Sequence, residues 1–597
     1  MLRLIAGFLA GCSISLCFAQ DDAVVITAAR FPQPRSQTLQ PVNVITAENI
    51  AQSGQQTLVE VLQALGGVEI TNTGGFGQPS GVFIRGANTG HTLVLVDGMR
   101  ISSATVGSTA LEHIPLNQIE RIEIVPGQLS SLYGSDAIGG VIQIFTKSSA
   151  DAPRMSVTAG AGAYSTRTLA GTFGRAFGDT ELSLNLGAFE TAGIDATKPT
   201  IPFGQHNPDR DGYRNTNLSA RLVHRLNERN ELGVTLFQSE GQAHFDNGPT
   251  TDDVSRQTLS AYSLYSRNQV TTAWQSMVKI GESTDDLKVT GAFPGFFTTR
   301  QPQLSWQNNV AFGPGTAIAG VEYLGQHVAS DTAYTQMYRN IKSAFVGYVG
   351  QRGAHAWQVN MREDDNSQFG NHTTGLFGYA YRLTPALRLR ASASTAFKAP
   401  TFNDLYFPGF ANPDLRAEKA RSREAGLNYD AGRSRLSASY FENRISDLIV
   451  FDTTTFTPQN LNRARIRGTE LGYETSFGTL QLRARGTLQD PVDEASGKRL
   501  PRRARQYGSL AVSNASGPLQ LGAELVASGE RFDSTDETPS SRMHGYALLN
   551  LTASYRLRRD LSLRARWNNV FDRQYELVRD FNTPGSNLFV ALQYQPQ

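Results

Sequence analysis

The sequence predicts an all-β membrane protein: an antiparallel transmembrane β-barrel of about 22 strands with an N-terminal α/β plug domain in its lumen. Three observations carry that expectation. From about residue 150 the chain alternates apolar and polar residues with period two over most of its remaining length. Arginines crowd one face of several of those strands. Residues 20–148, by contrast, read as a small mixed α/β module of ordinary domain size.

Composition limits the alternatives. At 597 residues the length suggests several domains, although one large barrel also fits. A net charge of +2 gives no bulk basic field, which argues against a nucleic-acid partner. Mean hydropathy is −0.31. No apolar run reaches the ~18 residues that a spanning helix needs. Neither fact excludes a barrel, because alternating strands average to a soluble-looking hydropathy. Both cysteines, Cys12 and Cys17, lie in the opening stretch. That stretch has Arg3, an apolar core from Leu4 to Ala10, and Ala19 ahead of Gln20-Asp21-Asp22. It reads as a signal peptide over residues 1–19, cleaved after Ala19. Leu9-Ala10-Gly11-Cys12 offers a lipoprotein-type alternative. With simple cleavage the mature chain has no thiol chemistry.

The module after the signal begins with Asp22–Ala28, a short β-prone run followed by the proline-broken Phe31–Arg35. Two readings stand together: the first strand of a domain, or an extended peptide that a partner pairs with by strand addition. Thr46 is placed to cap a helix starting at Ala47. Leu58, Val61, Leu62 and Leu65 recur at helical spacing, and Gly66-Gly67 stops them. Val68–Thr71 predicts a strand, followed by the glycine-rich loop Gly74–Gly81. Val82–Ile84 and Thr92–Val96 then flank Gly86–Gly90, which predicts a hairpin-like unit with Arg85 and Asp97 at its strand ends. Gln118–Val125 reads as a strand ended by Pro126-Gly127. Leu129–Tyr133 reads as a helical turn ended by Gly134, and Val141–Thr146 closes the module.

The barrel expectation rests on patterning. Leu182, Leu184, Leu186 and Ala188 share one face against Glu181, Ser183 and Asn185. Leu387 and Leu389 oppose Arg388 and Arg390; Leu561, Leu563, Ala565 and Trp567 oppose Ser562, Arg564 and Arg566. A sandwich interior rejects such arginines; a wet lumen accepts them. Long connectors rich in Asn, Asp, Pro and aromatics alternate with short ones: Asp195–Gly212, Phe245–Ser255, Phe402–Pro413 and Phe532–Met543. At roughly 20 residues per strand and connector, residues 149–597 supply about 22 strands, a size at which barrels carry a plugged lumen.

No catalytic constellation stands out. The nine histidines are scattered, Gly74–Gly81 precedes a strand rather than a helix, and no G-x-S-x-G elbow occurs. The reading is therefore a non-enzyme. Two acidic loops bear oxygen ligands near a glycine turn. One holds Asp195, Asn207, Asp209 and Asp211 before Gly212; the other holds Asp246, Asn247, Asp252 and Asp253. Such spacing suits a hard cation such as Ca2+ and equally suits a solvated acidic turn.

Several motifs converge on one resemblance. Asp22–Ala28 (DAVVITA), RFPQPRS, GVFIRG, LVLVDGMR, RIEIVPG and LYGSDAIGGVIQI stand in the module. REDDNSQFG, FKAP, NPDL, SDLI, NRARIRGTE and NVFDRQYE stand in the barrel. On these the chain resembles the TonB-dependent outer-membrane transporters over nearly its whole length, and among them the cobalamin receptors of Gram-negative bacteria. The resemblance implies a multi-pass, monomeric outer-membrane protein embedded in lipid. It implies energised uptake of cobalamin or a related corrinoid, with TonB and its inner-membrane motor proteins as partners. The TonB-binding segment would be Asp22, Ala23, Val24, Val25, Ile26, Thr27 and Ala28. Calcium would order the loops through Asp195, Asn207, Asp209, Asp211, Asp246 and either Asp252 or Asp253. Substrate contacts would fall on Pro79, Gly81, Asn88, Val106 and Gly107 of the plug, and on Asn247, Gln303 and Arg503 of the barrel. Asn88 is the foremost contact in a Gly86–Gly90 loop expected to face the ligand. Arg85, Asp97 and Arg100 would act as ion pairs holding the plug to itself and to the wall. The chain departs from the family pattern at Pro79 and Gly81, in a shorter loop around Val106, and in its ending Tyr594-Gln-Pro-Gln597. The same architecture also serves receptors for a ferric siderophore or another metal chelate. A haem receptor would want a histidine between Phe397 and Leu415, where this chain has none. A passive pore or adhesin would need neither plug nor TonB segment.

Overall fold

The computed structural model describes residues 23–149, 155–452 and 455–596. The expected signal peptide (1–19), its two cysteines and Asp22 lie outside them.

A closed barrel of 22 antiparallel strands runs from Met155–Gly162 to Asn587–Tyr594. It shuts where the first strand meets the last, with Val157 opposite Tyr594 and Gly162 opposite Phe589. Period two decides which side chains face out. In Leu387–Lys398, Leu389 is 41% exposed while its neighbour Arg390 is buried. Leu471, Leu521 and Leu592 likewise point outward, whereas Glu524 and Arg566 turn inward and pair at 2.8 Å. Tight turns such as Gly313 and Gly353, both at positive φ, close one end of the wall. The long connectors gather at the other, the loop end. The expected loop Phe245–Ser255 is shorter than its composition suggests. Strands Asn230–Asp246 and Asp252–Gln269 stay paired up to Asp246 opposite Asp252.

The plug fills the lumen. Its strands are β1 (Val24–Val25), β2 (Gln33–Pro34), β3 (Asn43–Thr46), β4 (Glu69–Asn72), β5 (Ser80–Phe83), β6 (Thr92–Val96), β7 (Met99–Arg100), β8 (Ile119–Pro126) and β9 (Gly140–Thr146). Its helices are α1 (Ala47–Ser53), α2 (Leu58–Ala64) and α3 (Ser130–Tyr133). Thr46 and Thr57 cap α1 and α2, their hydroxyls accepting from the amides of Asn49 and Glu60. A five-stranded sheet of order β3-β8-β9-β6-β7 packs Ile45, Ile122, Ile124, Ile142 and Ile144 against Val61 and Leu62 of α2.

The hairpin expected over Val82–Val96 does not form. β5 pairs with β4, while β6 runs parallel to β9, Thr92 opposite Gly140. Between them Ile84–Gly86 is a 3-10 turn that holds Arg85 at φ 52°. A non-glycine residue there costs about 1–3 kcal/mol, so its surroundings must fix it.

Candidate functional site

At the loop end the plug presents an apex to solvent. Pro79 is exposed, Asn88 and Gly107 are half-buried, and Val106 is 57% exposed. Gly107 sits at φ 70°, where a Cβ would lie 2.6 Å from Thr401 Cγ2, so this loop fits against the wall only with glycine. A Cβ on Gly81 would meet the hydroxyls of Thr89 and Thr71 at 2.5 and 2.6 Å, which accounts for the missing side chain there. Arg503 lies behind Asn88. It donates to the Asn88 Oδ1 and, at 3.1 Å, to the Gly86 carbonyl, and its guanidinium stacks 4.0 Å over Phe83. Arg503 therefore orients Asn88 from a buried position. Gln303 lies deeper still. Its carboxamide accepts from the Arg100 amide and donates to the Arg100 carbonyl at 3.1 and 3.0 Å, so it grips plug backbone.

That grip extends along one strand. On Gly295–Phe312, Gln301 donates to the Ser102 carbonyl at 2.6 Å and Gln307 to the Arg30 carbonyl at 2.8 Å, while the Thr299 hydroxyl accepts from the Ala104 amide. Charge also joins plug to wall elsewhere in the barrel. Arg85 reaches Glu424 at 2.8 Å and Glu470 at 2.7 Å, and lies 4.7 Å over the Phe441 ring. Asp97 takes Arg221 of the barrel at 2.5 Å and the amide and hydroxyl of Thr146. Arg100 pairs with Asp136 inside the plug at 3.2 Å. The three charges are thus structural ion pairs, two of them joining plug to wall.

The acidic loops converge. One carboxylate oxygen or ring nitrogen from each of Asp195, His206 and Asp246 lies within 4.8 Å of the others, and so do oxygens of Asp209, Asp211 and Asp246. Asp246 belongs to both groups. Burial pushes the Asp211 carboxyl up to about 7, with the charges of Asp246, Asp209 and Asp195 adding to it. Burial and neighbouring carboxylates also raise Asp195 and Asp209. Asp195 Oδ1 is shielded from solvent and has no hydrogen-bond donor among the described residues. Asn207 is adjacent, donating to Asp209 at 2.8 Å. A crowded oxygen set with an orphaned buried atom fits a hard cation. Neither Asp252 nor Asp253 joins these groups. Asp252 faces His244 at 2.7 Å; Asp253 is buried, taking the Asn247 carboxamide at 2.8 Å and the Ala292 amide at 2.9 Å. Asn247 is spent on the same bond. His206 is absent from the sequence expectation, although it directly precedes Asn207.

At the other end Val24 and Val25 pair with Pro34 and Gln33. The segment is folded in rather than extended into solvent. Glu123 of β8 accepts from the amides of Ile26 and Thr27, each at 2.9 Å, and from the Thr27 hydroxyl at 2.7 Å. Tyr133 caps the Thr27 carbonyl and Gln358 of the barrel the Ala28 carbonyl. Ala23 is half-buried ahead of the strand.

Residues 34–141 match the TonB-dependent Receptor Plug Domain, and residues 154–570 match the TonB dependent receptor-like, beta-barrel family. The chain is 31% identical over 607 residues to the vitamin B12 transporter BtuB of Vibrio vulnificus (strain YJ016), covering 98% of this chain and 97% of that one. It is 29% identical to the BtuB of Photobacterium profundum, covering 98% of each. Among solved structures, the siderophore receptor PirA from Acinetobacter baumannii superposes with a TM-score of 0.81 at 17% identity, over 94% of this chain and 98% of that one. The closed form of the ferric-catecholate import receptor Fiu from E. coli K12 gives 0.78 at 14%, over 94% and 98%.

Proposed function

The chain belongs to the TonB-dependent outer-membrane receptors, and from that premise we propose that it takes up cobalamin or a related corrinoid across the outer membrane. The observation that carries the substrate is the near full-length likeness to vitamin B12 transporters, from the plug to the last barrel strands. The two solved siderophore receptors, both under 20% identical, share the fold and do not shift the substrate.

The corrinoid is cargo, held at the apex by Pro79, Asn88, Val106 and Gly107, with Arg503 fixing Asn88. Asp195, Asp209, Asp211, Asp246 and Asn207 would hold calcium, whose charge would offset their mutual repulsion and so order the two loops ahead of cargo binding. Cargo at the apex shifts the plug and frees Ala23–Ala28 from Glu123. TonB then adds a strand to that segment, where backbone hydrogen bonds supply affinity. No bond is made or broken in the cargo, which is why no catalytic residue is required. The outward apolar band meets outer-membrane lipid, and one barrel forms the transporting unit.

Calorimetry of the purified chain with cyanocobalamin and with ferric siderophores, with and without calcium, tests the reading. Calcium-enhanced cyanocobalamin binding is expected. Binding of a ferric siderophore in its place overturns the cobalamin assignment.

A further inference from the structure

Between plug and wall at the turn end lies a cavity of about 410 Å³. Its lining includes Arg35, Arg85, Arg382, Arg388, Arg435 and Arg485, against only Asp430 and Glu470. Four of these arginines are accounted for. Arg85 is held by Glu424 and Glu470, Arg435 by Asp430 at 2.9 Å, and Arg485 and Arg35 by Glu474 at 2.7 and 3.6 Å. The other two are not. Arg382 and Arg388 stand directly opposite each other on neighbouring strands, in the last inward-facing pair before the turn. Like charges in that register destabilise a sheet. Among the described residues no carboxylate lies within ion-pair distance of either.

Arg388 spends one nitrogen on the carbonyls of Ser36 and Thr38, at 2.6 and 3.0 Å. Its Nη2 is shielded from solvent and has no acceptor among the described residues. The Gln40 side chain, 4% exposed, lines the same cavity with its Nε2 also lacking an acceptor. The unfilled Arg388 nitrogen and Gln40 amide donor, with the solvent-exposed Arg382 guanidinium beside them, form an acceptor-seeking site. The geometry points to an anion-binding chamber at the periplasmic mouth, taking a phosphate group on Arg382, Arg388 and Gln40. A guanidinium fork matches phosphate oxygens, and the exchange of two repelling cations for a bridged pair drives binding.

The phosphate has two sources: free phosphate entering from the periplasm, or the phosphodiester of a departing corrinoid. The second rests on the function proposed above. 31P linewidths of inorganic phosphate, titrated into the purified full chain at constant ionic strength, read the site without any corrinoid. The wild-type chain is expected to broaden the resonance. Arg382→Glu, which lets a carboxylate pair with Arg388, should cut the broadening by roughly threefold or more. Arg382→Gln keeps both Arg388 bonds to the plug, so it should fold as the parent does and lose a smaller part. Uptake of cyanocobalamin relative to cobinamide, which lacks the phosphodiester, separates the sources. A ratio that falls by roughly threefold or more in Arg382→Glu assigns the cargo's phosphate, and an unchanged ratio with lost broadening assigns free phosphate. A wild-type chain that broadens phosphate no more than Arg382→Glu overturns the site. Failure of the wild type to bind cyanocobalamin strikes the proposed cargo alone.

Discussion

The His91 Nε2 of the plug lies 2.8 Å from the Glu418 Oε2 of the barrel, with both side chains almost fully buried. The Nδ1 of the same ring accepts from the Asn88 amide at 3.2 Å, which puts the proton on Nε2, donated to the carboxylate. Glu418 Oε1 in turn accepts from the Ile449 amide at 2.8 Å. One imidazole therefore connects the foremost apex residue to the wall.

Glu418→Ala strands that ring without an acceptor in a buried site, a loss of about 2–4 kcal/mol. Hydrogen exchange at the Asn88 amide should quicken by roughly 30- to 1,000-fold, following that free energy. Exchange at Ile45, in the plug core, should change far less. Equal acceleration at both positions refutes a local role for the pair.

Glu112 gives the plug a pH dependence. Burial pushes its carboxyl up to about 8; the Asp285 charge adds to the rise, and the Ser80 amide opposes it only in part. A raised folded-state value means that the group's contribution to stability is complete below the usual carboxylate range and is lost as pH rises through about 8. Buried His113, depressed to about 4, acts in the other direction: its contribution is present above about 6.5 and lost as pH falls towards 4. Of the two, Glu112 dominates between pH 6.5 and 8, where its own contribution should decline by at most about 1.4 kcal/mol per pH unit. Glu112→Gln should flatten that decline in denaturant titrations spaced across the same interval. A slope that survives the substitution assigns the effect to another group.

Releasing the N-terminal segment should depend most on Glu123, which accepts three of the hydrogen bonds that hold it. Glu123→Ala removes three hydrogen bonds worth about 1 kcal/mol each. A soluble TonB domain should then bind the cargo-free receptor roughly tenfold or more tightly than it binds the wild type. Val25→Pro, which removes a strand donor, should abolish uptake and spare cargo binding. Retained uptake in Val25→Pro argues against strand addition.

Asp246 is shared by both ligand groups, whereas Asp195 serves one. Asp246→Asn should abolish the calcium enhancement of cyanocobalamin binding, and Asp195→Asn should weaken it by about tenfold. Calcium titrations of the two variants rank them; an effect of Asp195→Asn larger than that of Asp246→Asn contradicts the shared geometry.

Local chemistry made much of this legible in advance. Thr46 meets its capping partner three residues on, and alternating Leu/Arg pairs define a strand's two faces without reference to other strands. Partner choice is a different matter. β6 finds β9 rather than the nearer β5, because the parallel register buries both of its faces. Leu93 and Leu95 join Val141 on one side of the sheet, and Val94 and Val96 join Ile142 and Ile144 on the other. Glu424 and Glu470 lie hundreds of residues from Arg85, and no spacing rule links them. Asp253 looks like a ligand beside Asp252, yet alternation turns it inward onto Asn247. His206 carried no signal beyond its place next to Asn207.

The glutamine contacts on Gly295–Phe312 have a mechanical consequence. They are neutral, spaced along a single strand, and reach the plug backbone at Arg30, Arg100 and Ser102 in turn. A tug from the plug's N-terminus would meet these bonds in series, with the Arg30–Glu322 ion pair beside the first of them. Arg85, clasped by two carboxylates at once, must lose both together. Under such a pull the plug would part from the glutamine strand before it parts from Arg85, so the neutral seam and the charged clasp would yield at different loads.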